Sequence, residues 1–257
     1  MDLHDALVQS CDVYFYTVGH KLGIDTLARY AKMLGMGSTT RVNLIGEKPG
    51  LVPTMDWKLK ARGEEWLAGE TISASIGQGF NLVTPIQQAR LLATVANGGM
   101  VLKPYLVRQI KDKDGRVVKE VFPSIEKRLV SRPDTLSIIQ KGLFGVVNEK
   151  RGTGWRARLK QIQVAGKTGT AQVVRLKKGP KSEEEEEAPY KHRDHAWFVG
   201  YAPFENPEIA VAVIVEHGGH GGSAAAPIVR RIIEAYNKYY PQIPTEEQTR
   251  ETPRSGT

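Results

Sequence analysis

The sequence predicts a mixed α/β fold, and three observations carry that reading. Ile24, Leu27, Ala28, Ala31 and Leu34 recur at helical spacing, with Gly35 and Gly37 supplying the stop. Thr84-Pro85-Ile86-Gln87 is a capping box with proline at the first helical position, opening a helix that runs through Ala89, Leu92, Ala93 and Ala96 to Asn97-Gly98-Gly99. His195 to Ala202 and Ile209 to Val215 are nearly continuous in apolar residues, which suits strands covered on both faces.

The remaining elements follow in order. Leu3, Ala6, Leu7 and Val8 precede a polar break at Gln9-Ser10-Cys11-Asp12 and the aromatic run Tyr14-Phe15-Tyr16, so a helix, a tight turn and a second helix are expected over residues 2 to 18. From Ser38 to Gly69 no period is sustained, and a long surface excursion packed by Trp57 and Trp66 is expected. Tyr105 to Ile110 and Arg116 to Phe122 flank Lys111-Asp112-Lys113-Asp114-Gly115 as a surface hairpin. Ser131, Pro133 and Asp134 open a helix with Leu136, Ile139, Leu143 and Val147 inward, and Gly152-Thr153-Gly154 breaks the chain after it. Ala224 to Tyr240 form a last helix with Ile228, Ile232, Ile233 and Tyr236 against the sheet. The five glutamates Glu183 to Glu187 read as a solvated mobile loop, and residues 241–257 as a disordered tail behind a domain over residues 1–240.

Composition excludes several function classes. At 257 residues and 40% hydrophobic content the chain can bury a sizeable core. The net charge of +8 and pI near 9.5 suit an anionic partner, yet the basic residues are dispersed without the aromatic-interleaved stripe of a nucleic-acid binder. A single cysteine, Cys11, rules out an internal disulfide and a cysteine-rich zinc site. No run approaches the roughly 20 apolar residues of a membrane span, and Met1-Asp2-Leu3-His4-Asp5 lacks the basic start and apolar middle of a signal peptide.

The stretch with the most chemistry is Val164-Ala165-Gly166-Lys167-Thr168-Gly169-Thr170-Ala171-Gln172-Val173. Its valines favour an extended backbone, Gly166 and Gly169 would let a ligand's backbone come close, Lys167 is a point charge for an anion, and Thr168 and Thr170 add hydroxyls. The segment reads as one wall of a cleft that holds a carboxylate while its main chain pairs with an extended peptide. The other readings are an ordinary surface strand with an exposed lysine and a phosphate-binding Gly-rich loop. The latter fails because Gln161 stands where that motif needs glycine. Cys11 reads as a small buried hydrophobe, His217 and His220 as loop residues without a third metal ligand, His195 as structural, and Trp197 and Phe198 as core.

Taken together, Ser10-Cys11-Asp12 in a turn between helices and Lys167-Thr168-Gly169-Thr170 on a later strand resemble two of the three motifs of the penicillin-binding protein transpeptidase family, S-x-x-K, S-D-N and K-T-G. Three further stretches resemble the elongation-type branch of class B, penicillin-binding protein 2. They are Gly77-Gln78-Gly79 with Thr84-Pro85-Ile86-Gln87, His195 to Pro203, and Gly221-Gly222-Ser223-Ala224-Ala225-Ala226-Pro227. The resemblance runs from about Asp2 to Tyr240, and aspartate in third place of the second motif is what the elongation branch looks like. Ser124-Ile125-Glu126-Lys127 formally matches S-x-x-K but falls between the other two motifs, so the resemblance implies that the nucleophilic serine and its lysine are absent from this chain.

The resemblance implies the serine β-lactamase-like transpeptidase fold, an antiparallel sheet with helices on both faces, here without its N-terminal strands and nucleophile helix. It implies a serine acyl-enzyme D,D-transpeptidase that cross-links peptidoglycan stem peptides ending in D-Ala-D-Ala, binds β-lactams and needs no cofactor or metal. In that scheme Ser10 relays a proton, Lys167 sets the local field, Asp12 and Gly169 line the substrate site, and Thr168 and Thr170 bind the terminal carboxylate. The Thr170 N–H supplies half of the oxyanion hole. The family works on the extracytoplasmic face of the membrane through an N-terminal anchor, beside a polytopic wall-polymerising glycosyltransferase. A chain lacking the nucleophile is expected to be inactive alone; the alternative is a non-catalytic module that binds D-Ala-D-Ala peptides or a wall-synthesis partner.

Overall fold

The structure is a computed structural model that describes residues 1–129, 133–173 and 189–240. The acidic run Glu183 to Glu187 and the tail 241–257 lie outside the described residues.

Helix α1 (Leu3–Val8) is capped by Asp2, whose carboxylate accepts from the Asp5 N–H at 2.9 Å. After the turn at Gln9 to Cys11, α2 (Asp12–Leu22) and α3 (Ile24–Met33) meet at Gly23, whose φ of +73° needs glycine.

The excursion after α3 is not free of secondary structure. It holds α4 (Met55–Arg62), capped by the Thr54 hydroxyl on the Trp57 N–H, and the start of α5 (Ala68–Ser75). Apolar periodicity misses α4 because its buried side chain is a lysine. Lys58 is 2% exposed and is held by Glu70 at 2.7 Å, Glu64 at 3.3 Å and the Glu65 carbonyl at 2.8 Å. The Glu70 hydrogen bond raises its pKa above the ordinary lysine value. Trp57 and Trp66 do pack the segment, each meeting the Phe80 ring, at 5.3 Å and 6.2 Å between centroids.

Helix α6 (Pro85–Ala96) realises the capping box, with Thr84 Oγ1 accepting from the Gln87 N–H and Gln87 Oε1 accepting from the Thr84 N–H at 2.9 Å. Gln87 is fully buried, and its Nε2 also donates to the carbonyls of Ser38 and Pro49, each at 2.8 Å. One side chain thus fastens both the helix start and the excursion. Gln87→Leu keeps the bulk but strands three polar main-chain groups. The expected loss is about 2 kcal/mol or more by urea unfolding; a change within about 0.5 kcal/mol, the surface-substitution range, would contradict this role.

Strand β1 (Met100–Lys103) leads to the hairpin of β2 (Gln109–Lys111) and β3 (Val117–Glu120), so the hairpin expected from sequence is present but its first strand starts only at Gln109. Strand β4 (Ser124–Arg128) returns to pair antiparallel with β1. Helix α7 (Pro133–Asn148) carries the expected buried Leu143 and Val147. It draws α1 close through Gly142 and Gly145. A β-carbon at Gly142 would fall 2.5 Å from Leu7 Cδ1, and one at Gly145 would fall 2.6 Å from Val8 Cγ2. This close approach fixes the turn that carries Ser10.

The main sheet is antiparallel in the order β5 (Ala165–Ala171), β6 (His195–Ala202), β7 (Ile209–Val215). Side chains alternate along β6. Ala196, Phe198 and Ala202 pack toward Val229 and Ile233 of α9 (Ala226–Tyr239), which follows the short α8 (Gly221–Ala224), whereas Tyr201 and Val199 pack toward Leu92 and Val95 of α6 and Leu143 of α7. Helices therefore cover both faces, as the two apolar runs require. The inner stripe of α9 differs from the expected one. Ile233 is buried beside Ala226 and Val229, but Ile228 and Ile232 point outward at 40% and 39% exposure. The sequence offers two overlapping apolar stripes, and the sheet's position selects one.

Candidate active site

Ser10 has φ of +55°, an uncommon conformation for a residue with a β-carbon, and the chain holds it there from both sides. Its N–H donates to the Leu7 carbonyl and the Cys11 N–H to the Ala6 carbonyl, while Asp12 already opens α2. The turn aims the Ser10 hydroxyl at β5, where Lys167 Nζ donates to Ser10 Oγ at 2.7 Å. The same ammonium reaches the Thr168 carbonyl at 3.2 Å and Thr168 Oγ1 at 3.4 Å. Thr168 Oγ1 lies 3.0 Å from Thr153 Oγ1, so the glycine-flanked break after α7 supplies a partner that sequence reasoning had passed over.

Burial lowers the Lys167 pKa from 10.5 to about 8, and the charge of Asp12 offsets part of that shift. A lysine tuned to about 8 exchanges protons near neutral pH, which an ordinary lysine does not.

Ser10, Asp12, Lys167, Thr168, Gly169 and Thr170 all line one cleft of about 800 Å³ between the α1–α2 turn, α5 and β5. Phe15, Tyr16, Ser73, Ser75, Gln78 and Asp194 also line it, none of them a ligand contact that the sequence points to, and so does His220, which the sequence reads as a loop residue. Ser73 and Ser75 carried a weak signal, two hydroxyls near the end of one helix.

Gly166 and Gly169 have a packing role besides the expected one. A β-carbon at Gly166 would strike the Val199 carbonyl and the Phe198 ring, and one at Gly169 would lie 3.2 Å from Trp197 Cβ. Both glycines let β5 lie close to β6 and its side chains, and Gly169 also lines the cleft. Gly221 in α8 reinforces this, since its Cα faces the carbonyls of Trp197 and Gly169 with no room for a methyl group.

The other candidates are placed as follows. Cys11 is half-buried at the N-cap of α2 and lies outside the cleft lining. His195 accepts from the His217 N–H through Nδ1 at 2.9 Å, and the two rings meet edge to face, a structural pairing. Phe198 is core, whereas Trp197 is half-buried and walls a groove under β5. Ser124 and Lys127 lie in β4, opposite Lys103 and Val101 of β1, so this S-x-x-K is on a strand and away from the cleft.

Residues 1–234 match the family model described as penicillin binding protein transpeptidase domain. The chain belongs to that family. A curated relative, peptidoglycan D,D-transpeptidase MrdA of Haemophilus influenzae, is 37% identical over 249 residues, covering 94% of this chain and 37% of its own length. The crystal structure of penicillin-binding protein 2 from Pseudomonas aeruginosa is similar with a TM-score of 0.77 and 38% identity, over 92% of this chain and 49% of that one. Penicillin-binding protein 2 of Helicobacter pylori, solved in complex with MreC, gives a TM-score of 0.77 at 31% identity, over 93% of this chain and 41% of that one. The chain thus spans 37% of the length of the MrdA relative. In this chain Ser10 and Asp12 line the cleft together with Lys167, Thr168 and Gly169, and Ser10 accepts from Lys167.

Proposed function

We propose that this chain is the C-terminal part of a peptidoglycan D,D-transpeptidase that cross-links stem peptides in cell-wall elongation. The observation that carries this is the contact between Lys167 Nζ and Ser10 Oγ at the foot of a strand edge bearing Thr168 and Thr170. A stem peptide lies along β5 with its terminal carboxylate on the hydroxyls of Thr168 and Thr170 and near the Lys167 cation. The serine that attacks the penultimate D-Ala carbonyl belongs to an S-x-x-K segment that docks beside Ser10. Its attack forms the acyl ester, the peptide C–N bond breaks, and D-Ala leaves with a proton relayed through Ser10. Lys167 tunes that relay, and the Thr170 N–H stabilises the developing oxyanion.

An amine of a neighbouring stem then takes the acyl group. β-Lactams enter the same cleft, and the whole protein works on the extracytoplasmic face of the membrane beside a polytopic glycosyltransferase. Among the described residues no helix is long and apolar enough to cross a membrane.

The test is fluorescent-penicillin labelling of the chain alone and co-expressed with the preceding segment of a penicillin-binding protein 2 relative that carries S-x-x-K. The expected result is no label on the chain alone and a label on the added serine when both are present, lost when Ser10→Ala is introduced. Covalent label on this chain by itself, mapped to Ser124, Ser10 or Cys11, would overturn the assignment of the nucleophile.

A further inference from the structure

Gln78 occupies the part of the β5 edge that an extended peptide needs. Its side-chain Nε2 donates to the Thr170 carbonyl at 2.6 Å, and its Oε1 accepts from the Gln172 N–H at 3.2 Å. One carboxamide thus satisfies an acceptor and a donor two residues apart on the same strand, the spacing with which a neighbouring strand would pair. Because the Thr170 carbonyl points at Gln78, it faces away from β6. The alternation of an antiparallel pair puts the main-chain groups of Thr168 on that same free edge.

The loop that presents Gln78 is itself fastened. The Gln78 N–H donates to the Ser73 carbonyl at 3.0 Å, the Gln78 carbonyl accepts from Asn81 Nδ2 at 3.0 Å, and Asn81 Nδ2 also reaches the Ala74 carbonyl at 3.1 Å. Gly77 and Gly79, at φ of +80° and +73°, provide the tight bends on either side. The backbone is anchored while the side chain is held only by the two bonds to β5 that are described, so the carboxamide can leave without unfolding the loop.

We propose that Gln78 is a stand-in for substrate: its carboxamide mimics the N–H and C=O that one residue of an extended ligand turns toward the strand, and it closes the β5 edge until a peptide ending in D-Ala-D-Ala displaces it. This rests on the reading of the cleft as a stem-peptide site. The stand-in sets a threshold for entry. A ligand gains from this edge only by supplying both a donor to Thr170 and an acceptor for Gln172 in extended geometry. A peptide backbone meets that condition, whereas a simple carboxylate has no donor for the Thr170 carbonyl. It also keeps an unpaired strand edge from recruiting other chains.

The test uses the full chain as Gln78→Ala and Gln78→Leu, an N-acylated D-Ala-D-Ala peptide carrying a fluorophore, and amide hydrogen exchange at Gln172. Leucine keeps the bulk of the side chain and removes both hydrogen bonds, so it carries the test if alanine disturbs the loop. In the free variants the Gln172 N–H is expected to exchange faster than in the wild type, and peptide affinity to rise roughly tenfold, the scale of two modest hydrogen bonds no longer displaced. Peptide binding that is unchanged or weaker in both variants would overturn the stand-in role while leaving the stem-peptide site intact. No peptide binding by wild type or variants, with Gln172 exposed to exchange in the variants, would overturn the reading of the site and the stand-in with it.

Discussion

Lys167→Met is expected to abolish recognition of D-Ala-D-Ala peptides and to remove a rise in folding stability that the wild type shows between about pH 8 and 10.5. In the folded chain burial holds the Lys167 pKa at about 8, against an ordinary value of 10.5. Between those two values the unfolded chain carries a proton that the folded chain has released. Unfolding therefore takes up a proton, and stability increases with pH across the window. Below pH 8 both states are protonated and the cost of burying the charge is fully present; above 10.5 both are neutral and it is gone. The shift corresponds to about 3 kcal/mol. Methionine fills much of the same space without a charge, so the variant gains stability relative to wild type at pH 7, and the gain fades as pH rises from about 8 to 10.5. The same substitution leaves Ser10 Oγ without its donor at 2.7 Å and a bound carboxylate without its cation. Denaturant unfolding at pH 7, 9 and 10.5, run on both proteins so that other titrating groups cancel, measures the first effect; peptide anisotropy measures the second. Parallel stability profiles would remove the physical basis for treating Lys167 as a tuned proton carrier.

The second large effect is expected from a single methyl group. Gly221→Ala places a β-carbon against the carbonyls of Trp197 and Gly169 and 3.0 Å from the Gly169 N–H. These are backbone atoms of two paired strands and cannot swing aside as a side chain would, so β5 and β6 must part at the Gly169–Trp197 pair. The expected cost is about 3 kcal/mol of stability, at the upper end of overpacking, with loss of peptide binding because Thr168 and Thr170 flank the displaced residue. Gly69→Ala is the control. A β-carbon there meets nothing within 4 Å and the backbone is not left-handed, so alanine is expected to be neutral or stabilising by up to about 1 kcal/mol. Thermal melts of the two variants side by side decide the matter; equal melting temperatures would mean that α8 yields where the packing says it cannot.

Legibility in the sequence divided along the range of the forces involved. The capping box at Thr84 and Gln87, the helix over Ile24–Met33 and the two covered strands were readable because each depends on residues a few positions apart. Helix α4 was not, because its stability comes from Lys58 meeting Glu70, a pairing that leaves no apolar period. The inner face of α9 was ambiguous because Ile228 and Ile232 compete with Val229 and Ile233, and only the sheet beneath distinguishes them.

The same division holds for the site. By itself the sequence determined which residue types carry the chemistry: Ser10 and Asp12 in a turn between helices, and Lys167, Thr168 and Thr170 on a strand, all of which line one cleft. Tertiary structure alone decided that Lys167, 157 residues from Ser10, donates to its hydroxyl and is buried enough for its pKa to fall to about 8. It also decided that the glycines of β5 serve sheet packing, and that Gln78 lies across the strand edge. The physical reason is that residue type and local spacing fix what a group can donate or accept, whereas desolvation and hydrogen-bond partners depend on the surroundings that distant segments bring together.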